Sequence, residues 1–92
     1  MLKKIFKLNI VNEGFRREIS LEQIYINTDN IISISDYSGA SKFLESEKSE
    51  FHNCSFSLIK YASGNESETL IVKGKASDII KEFTTEKKLL NG

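Results

Sequence analysis

Apolar and polar residues alternate along most of this chain, and clusters of turn-forming residues interrupt the alternation. A period of two residues places every second side chain on the same face of a β-strand. The pattern is clearest in residues 25–34, where two isoleucine-rich runs flank the turn-forming sequence Asn-Thr-Asp-Asn at positions 27–30. We predict a hairpin or strand corner there, around which the remaining elements are arranged.

Two further hairpins are predicted, one on each side of this corner. Residues 4–11 alternate, a turn follows around Gly14, and residues 15–19 alternate again, so the chain returns along its first strand. Residues 52–62 alternate in the same way, residues 63–66 form a turn, and residues 69–73 run back as the last strand. Together with residues 31–34, these segments predict an antiparallel meander of about five strands.

Beyond Gly74 the apolar period changes to that of a helix. Ala76, Ile79, Ile80 and Phe83 stand at positions i, i+3, i+4 and i+7, which places them on one helical face. Residues 87–92 either extend this helix or form a C-terminal tail. The predicted fold is α+β and mainly β, an open sheet or small curled barrel with one C-terminal helix packed on it.

The segment of residues 36–50 has no sustained apolar period and is rich in serine and acidic residues. We predict a long loop there, and the sequence leaves open whether this loop is an ordered binding loop or disordered. A length of 92 residues is typical of one domain, so residues 1–92 are predicted to fold as a single unit.

Apolar residues also occur on the strand faces that do not belong to the predicted core. One amphipathic helix cannot cover both sides of a sheet, so either the sheet curls or its second face meets another subunit. We therefore expect a homo-oligomer, most simply a dimer. The residues predicted for this oligomer face are Ile5, Val11, Tyr25, Ile31, Ile59, Tyr61 and Ile71.

The formal net charge is zero, but the charges are unevenly distributed. Residues 1–19 hold five basic and two acidic residues, a charge of +3, whereas residues 20–57 hold two basic and six acidic residues, a charge of −4. This asymmetry suits head-to-tail contacts. A basic stripe beside aromatic residues also suits single-stranded nucleic acid, although the neutral total disfavours strong attraction to phosphates. The residues predicted for this alternative are Lys3, Lys4, Lys7, Arg16 and Arg17.

His52 and Cys54 are the only neighbouring residues of the types that serve as base and nucleophile. Two residues do not complete a zinc site, and a catalytic Cys-His pair needs a third, orienting group. We therefore predict that the protein is not an enzyme and uses no metal or cofactor. A single cysteine excludes an intrachain disulfide, and no segment resembles a signal peptide or a membrane span, so a cytoplasmic location without membrane contact is predicted.

The order of parts resembles that of the small bacterial FlbD-like proteins, which are associated with flagellar and swarming motility. Residues 26–34, Ile-Asn-Thr-Asp-Asn-Ile-Ile-Ser-Ile, are similar to the corner motif of that family, with Thr28 at the position of its proline. Residues 72–75, Val-Lys-Gly-Lys, and the periodic residues 76–83 resemble the C-terminal part of that family, where the last strand leads into an amphipathic helix. The resemblance implies the same architecture and a non-catalytic accessory role, and it assigns no functional residue.

These observations predict a small, non-catalytic protein that self-associates and acts as a protein-interaction or regulatory module. The abundance of isoleucine, lysine, asparagine and serine suggests an AT-rich bacterial or phage genome. The partner protein and the biological process are not indicated by the residues. The alternative is a nucleic-acid-binding β-protein that uses its N-terminal basic hairpin.

Overall fold

Five antiparallel strands form one sheet in the order β2-β1-β5-β4-β3. The structure is a computed structural model that describes the backbone of residues 1–91 and the side-chain surroundings of residues 1–84. The predicted class, the antiparallel sheet of about five strands and the C-terminal helix are confirmed. The elements are β1 at Leu2–Glu13, β2 at Arg16–Asn27, a 3-10 turn at Thr28–Asn30, β3 at Ile31–Asp36, α1 at Gly39–Ser46, β4 at Phe56–Ser63, β5 at Glu66–Lys73 and α2 at Ala76–Asn91.

Two tight turns connect the hairpins β1–β2 and β4–β5. In each, the last paired residues enclose a loop of two residues that begins with glycine. Gly14 and Gly64 have φ angles of 59° and 63°, and no other residue of either loop has a positive φ. This is the arrangement of a type II′ turn, which needs glycine at its first central position and matches the twist of the flanking strands.

The connection between β2 and β3 forces the sheet to coil. These strands lie at opposite edges of the sheet, yet only residues Thr28–Asn30 separate them. Four strand spacings in a flat sheet amount to about 19 Å, whereas four residue steps of extended chain span at most about 14 Å and a 3-10 turn spans less. The two edges must therefore approach each other at this corner, where the Asn27 side chain accepts a hydrogen bond from the Asp29 amide at 3.0 Å.

Each face of the coiled sheet has its own helix. On one face, buried residues of four strands pack with Ile79 of α2, while on the other face Leu8 and Phe56 pack with Ala40 and Leu44 of α1. The fully buried Leu44 is the centre of this second cluster. The strand residues of the first cluster are Ile5, Ile26, Ile59 and Val72.

Residues 36–50, which the sequence predicts as one loop, therefore contain a helix that covers the second face of the sheet. The expectation of a single covering helix missed α1 because this helix has only two turns and contributes only two fully buried apolar residues, Ala40 and Leu44. At the other end of the chain, α2 continues to Asn91, so the tail considered for residues 87–92 is helical that far, and Gly92 lies outside the described residues.

A carboxylate that is distant in sequence holds the start of α2. Asp36, the last residue of β3, accepts a hydrogen bond from the backbone amide of Ala76 at 2.9 Å, across 40 residues of sequence. The buried hydroxyl of Ser57 donates to the carbonyl of Gly74 at 2.7 Å, just before the helix. These two bonds satisfy backbone groups that would otherwise lack partners and fix α2 to the central part of the sheet.

Replacing Asp36 is expected to loosen this helix. The variant Asp36→Ala loses the capping acceptor, which lowers the free energy of unfolding by about 1 kcal/mol. Asp36→Asn keeps an oxygen acceptor of the same shape and is the matched control. Urea unfolding followed by circular dichroism measures both variants, and equal stabilities of Asp36→Ala and Asp36→Asn would contradict the capping role.

Candidate interaction surface

The β1–β2 hairpin projects from the rest of the molecule. Within the sheet, β1 pairs with β5 only at Lys7 and Val72, whereas its pairing with β2 continues as far as the turn. We call residues 9–20 the hairpin arm, since they extend beyond Leu8, the last buried residue of β1. The arm contributes to a molecule that is 51 Å long in its largest dimension.

Arg17, close to the tip of the arm, connects the arm to α1 and to the residue that follows this helix. Its Nε donates to the Asn12 side-chain oxygen at 3.0 Å, and its guanidinium forms an ion pair with Glu47. The guanidinium also lies over the ring of Phe43, 5.4 Å from the ring centroid. Arg17 is therefore engaged within the chain, and it attaches the arm to the segment around α1.

Exposed apolar side chains concentrate on this hairpin. Nine large apolar side chains are exposed among residues 1–84, and six of them belong to the β1–β2 hairpin. Their relative exposures range from 39% for Phe6, Ile10 and Val11 to 111% for Phe15. The six residues are Leu2, Phe6, Ile10, Val11, Phe15 and Tyr25.

The tip of the arm carries the most exposed of these side chains. Phe15 occupies the second position of the type II′ turn and has a relative exposure of 111%. Tight turns usually hold glycine, asparagine, aspartate or serine there, because an aromatic ring in the turn packs against nothing. Gly14 provides the positive φ that the turn geometry requires, whereas that geometry does not require an aromatic side chain at Phe15.

The outer edge of the hairpin is an unpaired strand edge. The amide of Thr28 donates to the carbonyl of Met1, which identifies residues 1 and 28 as a hydrogen-bonded pair of the β1–β2 ladder. In an antiparallel ladder such pairs alternate with non-bonded ones, so the even residues of β2 bond to β1. The odd residues point their amides and carbonyls away from the sheet, and they are Arg17, Ile19, Leu21, Gln23 and Tyr25.

The other edge of the sheet is less suited to pairing. Strand β3 has six residues, and its register with β4 shifts between Ile31 and Ser33. Such a bulge and a short edge are features that protect natural sheets from adding further strands. Strand β2 has twelve residues in one continuous register, so it is the edge that remains able to pair.

A groove lies at the corner, between the 3-10 turn and α2. Its apolar walls are formed by Ile31 and Ile34 of β3 and by Ile80 and Phe83 of α2, and its volume is about 330 Å³. Asp29 borders the same groove, and its side chain is 79% exposed. We call this feature the corner groove.

The structure does not bring the seven residues of the predicted oligomer face together. Ile5 and Ile59 are buried in the core beneath α2, with relative exposures of 6% and 0%. Ile31 and Tyr61 are partly buried against the same core, and Ile71 packs in the cluster beneath α1. Only two of the seven are exposed on the hairpin, and these are Val11 and Tyr25.

The reason for this separation is the pairing register. Ile5 is opposite Ile24, so Tyr25, the next residue along β2, points to the other face of the sheet. The sequence shows that both faces are apolar but does not show which strand residues are neighbours. It also missed Phe6, Ile10 and Phe15 as surface residues, and the position of Phe15 within a turn is the signal that was available for one of them.

The five basic residues of the nucleic-acid alternative are likewise dispersed. Lys3 is buried, with a relative exposure of 5%, and Lys7 lies on the same face of β1. Lys4 points to the opposite face, where its ammonium lies 5.8 Å from the ring centroid of Phe6. Arg17 is engaged by Glu47, and Arg16 is on the face opposite to it, next to the turn.

His52 and Cys54 have different partners. The Nδ1 atom of His52 lies 2.8 Å from the carbonyl oxygen of Ser49, while Cys54 packs against the cluster beneath α1. Within the described residues, no group of three or more His, Cys, Asp and Glu side chains is arranged to hold a metal ion.

The pKa of the Tyr61 hydroxyl is raised. Its hydroxyl donates a hydrogen bond to the Glu68 carboxylate, and this bond, with some burial and the negative charge of Glu68, raises the pKa of Tyr61 above its ordinary value of 10.0. The folded chain thus holds this proton more strongly than the unfolded chain. The stabilising contribution is complete below about pH 10 and is lost as the pH rises through the raised pKa.

An absorbance titration of the tyrosines tests this contact. The difference between the wild type and Tyr61→Phe isolates the Tyr61 component, which we expect to titrate above 10.0. Glu68→Gln removes the negative charge and is expected to move that component back toward 10.0, the ordinary value. A Tyr61 component at or below the ordinary value in the wild type would contradict the hydrogen bond.

Comparisons of the chain with protein-family models, with curated proteins and with solved structures gave no match. The resemblance to the FlbD-like proteins therefore stays a prediction. Among the helices that the structure describes, none is long and apolar enough to cross a membrane.

Proposed function

We propose that this protein is a non-catalytic interaction module that self-associates by pairing the open edge of β2 with the same edge of a second copy. The observation that carries the proposal is a regular unpaired edge of twelve residues, on a hairpin where six of the nine exposed large apolar side chains among residues 1–84 are found. The resulting dimer is a continuous sheet of ten strands, and it binds a further protein, in the cytoplasm of a bacterium or in a phage-infected cell.

Pairing at this edge provides the hairpin with hydrogen-bond partners and with apolar contacts. The outward amides and carbonyls of residues 17–25 gain partners of the same kind, which an edge strand otherwise finds only in water. A strand beside β2 also covers Tyr25, which lies on the face of the hairpin that α1 leaves partly open. Hydrogen bonds and apolar burial thus favour the same arrangement.

Nucleic-acid binding receives less support from the surface. A strand of nucleic acid is followed by a continuous basic groove with exposed rings for stacking. Here the basic residues are divided between the two faces of the hairpin, and Lys3 is buried. We therefore do not favour it as a second function.

A proline in the open edge is expected to abolish pairing without unfolding the chain. Gln23 is exposed, and its amide points away from β1, so Gln23→Pro removes one outward donor and leaves the β1–β2 ladder intact. We expect dimer dissociation to increase at least about tenfold, with little change in melting temperature.

Gln23→Thr is the matched control, because it changes the side chain but keeps the amide donor. Sedimentation velocity across a range of concentrations measures both variants against the wild type. If the wild type is monomeric at high concentration, or if Gln23→Pro and Gln23→Thr associate equally well, the proposal is wrong.

A further inference from the structure

We infer that Tyr25 of each copy inserts into a pocket beside the arm of the other copy when the two β2 edges pair. This inference rests on the proposed self-association through β2. It fixes the register of the two strands and names a side-chain contact between them. The occupant is a second copy of this chain, and the recognised group is the phenol ring of a tyrosine.

The pocket lies between the arm and the segment that follows α1. Ile19 of the arm and Phe51 of that segment both pack in the cluster beneath α1, so the pocket is on the side of the sheet that α1 covers. Its volume is about 240 Å³, and cavities of about 150 Å³ already hold a benzene ring. We call it the arm pocket, and its lining residues are Arg17, Ile19, Glu47, Ser49, Glu50 and Phe51.

Tyr25 points to the same side of the sheet as the arm pocket. Leu8 lies opposite Leu21 in the β1–β2 ladder and both pack beneath α1, so the odd residues of β2 point to the α1 side. Tyr25 is one of these odd residues, and its relative exposure is 63%. A two-fold axis perpendicular to the sheet keeps the α1 sides of both copies together, so the ring and the pocket meet on one side.

The sequence of β2 limits the registers in which its two copies can pair. In a symmetric antiparallel pair, the outward odd residues must face odd residues of the second copy, so the numbers of two opposed residues add up to an even number. A pairing centred on Ser20 places Glu18 opposite Glu22, and one centred on Glu22 places that carboxylate opposite itself. Both arrangements oppose like charges and are disfavoured.

A pairing centred on Leu21 avoids these repulsions and includes residues 16–26, which is nearly all of β2. Pairings centred on Ile19 or Gln23 are shorter, because within β2 they include only residues 16–22 or residues 19–27. Each further pair of residues adds cross-strand contacts, and each second pair adds backbone hydrogen bonds. Length and charge together favour the register centred on Leu21.

In this register Tyr25 of one copy lies directly opposite Arg17 of the other. The Cβ atoms of two opposed residues are about 5 Å apart, and a diagonal neighbour is still within reach of an aromatic side chain. Ile19 is the diagonal neighbour of Tyr25, and it lines the arm pocket together with Arg17. The register that length and charge favour therefore brings the ring of one copy to the pocket of the other.

The chemistry of the pocket suits a tyrosine side chain. The Arg17 guanidinium has the Phe43 ring on one of its faces, and the Arg17 side chain is still 42% exposed. A second ring can stack on the other face while the ion pair with Glu47 stays in place. The carboxylate of Glu50, an exposed residue that lines the pocket, is an acceptor for the Tyr25 hydroxyl. The two-fold axis repeats the contact, so the closed dimer holds two of them.

Disulfide cross-linking of the exposed residues Ser20 and Glu22 tests the register. In the pairing centred on Leu21, Ser20 of one copy is opposite Glu22 of the other. In a Cys54→Ser background, a mixture of Ser20→Cys and Glu22→Cys chains is therefore expected to cross-link under mild oxidation. Each variant alone is not, because its two thiols are diagonal neighbours and too far apart for an S–S bond. Non-reducing electrophoresis of chains of different mass separates the products.

Replacing Tyr25 tests the contact with the arm pocket. Tyr25→Thr keeps a residue that favours strands but removes the ring, and we expect its dimer to dissociate at least about tenfold more readily than the wild type. The matched control is Leu2→Thr, at a residue of β1 that is 66% exposed on the same side of the sheet. It is expected to dimerise like the wild type. Sedimentation velocity measures the dimers, and circular dichroism shows that each variant is folded.

Isotope-filtered NMR of the wild type locates the ring directly. In an equal mixture of ¹³C-labelled and unlabelled chains, only contacts between two copies give filtered cross-peaks. We expect such cross-peaks between the Tyr25 ring of one copy and the side chains of Ile19 and Phe51 of the other. They are expected to disappear in Tyr25→Thr and to remain in Leu2→Thr.

The outcomes separate this inference from the proposed function. If Gln23→Pro dissociates the wild-type dimer but Ser20→Cys or Glu22→Cys cross-links with itself, the edge pairing stands and the register is wrong. If the mixed thiols cross-link but Tyr25→Thr dimerises as well as Leu2→Thr, the pocket contact is wrong. If the wild type is monomeric, both proposals are wrong. Mixed cross-linking together with the filtered cross-peaks of Tyr25 assigns the arm pocket to the tyrosine of the second copy.

Discussion

The three-residue connection between β2 and β3 determines the form of the whole structure. Because it joins strands at opposite edges, the sheet has to coil, and coiling produces a concave face that α2 fills with Ile79. The same corner provides one side of the groove. A longer connection would release this constraint, and the sheet could then flatten and leave α2 with a smaller apolar surface to cover.

Coverage of the sheet is nearly complete except along the β1–β2 hairpin. Two helices bury the central parts of both faces, and Asp36 and Ser57 attach α2 to the sheet. The arm extends beyond this support, and Arg17 and Ile19 attach it to the segment around α1. A two-stranded hairpin is marginally stable by itself in water, so an arm with exposed Ile10, Val11 and Phe15 gains most from a partner.

Much of the fold could be predicted from the sequence, since strand periodicity and turn residues are local signals. The two glycine turns, the corner at residues 27–30 and the helix beginning near Ala76 all follow from short patterns. What could not be predicted depends on contacts between distant segments. The helix α1 has only eight residues, too few to show a clear helical period in the sequence. The residue that caps α2, Asp36, is 40 residues away from the helix start at Ala76. The candidate surface was missed for the same reason, because the register of β1 and β2 decides that Ile5 is buried while Tyr25 is exposed.

Hydrogen exchange of the β2 amides, measured by NMR at several protein concentrations, tests the central claim most directly. The even residues of β2 bond to β1 and are protected in the monomer, whereas the amides of Ile19, Leu21 and Gln23 point outward. If the open edges pair, these three amides become protected as the concentration rises, while the even amides stay protected throughout. If the protein dimerises and the three outward amides still exchange as fast as those of an unpaired strand, pairing through the β2 edge is contradicted.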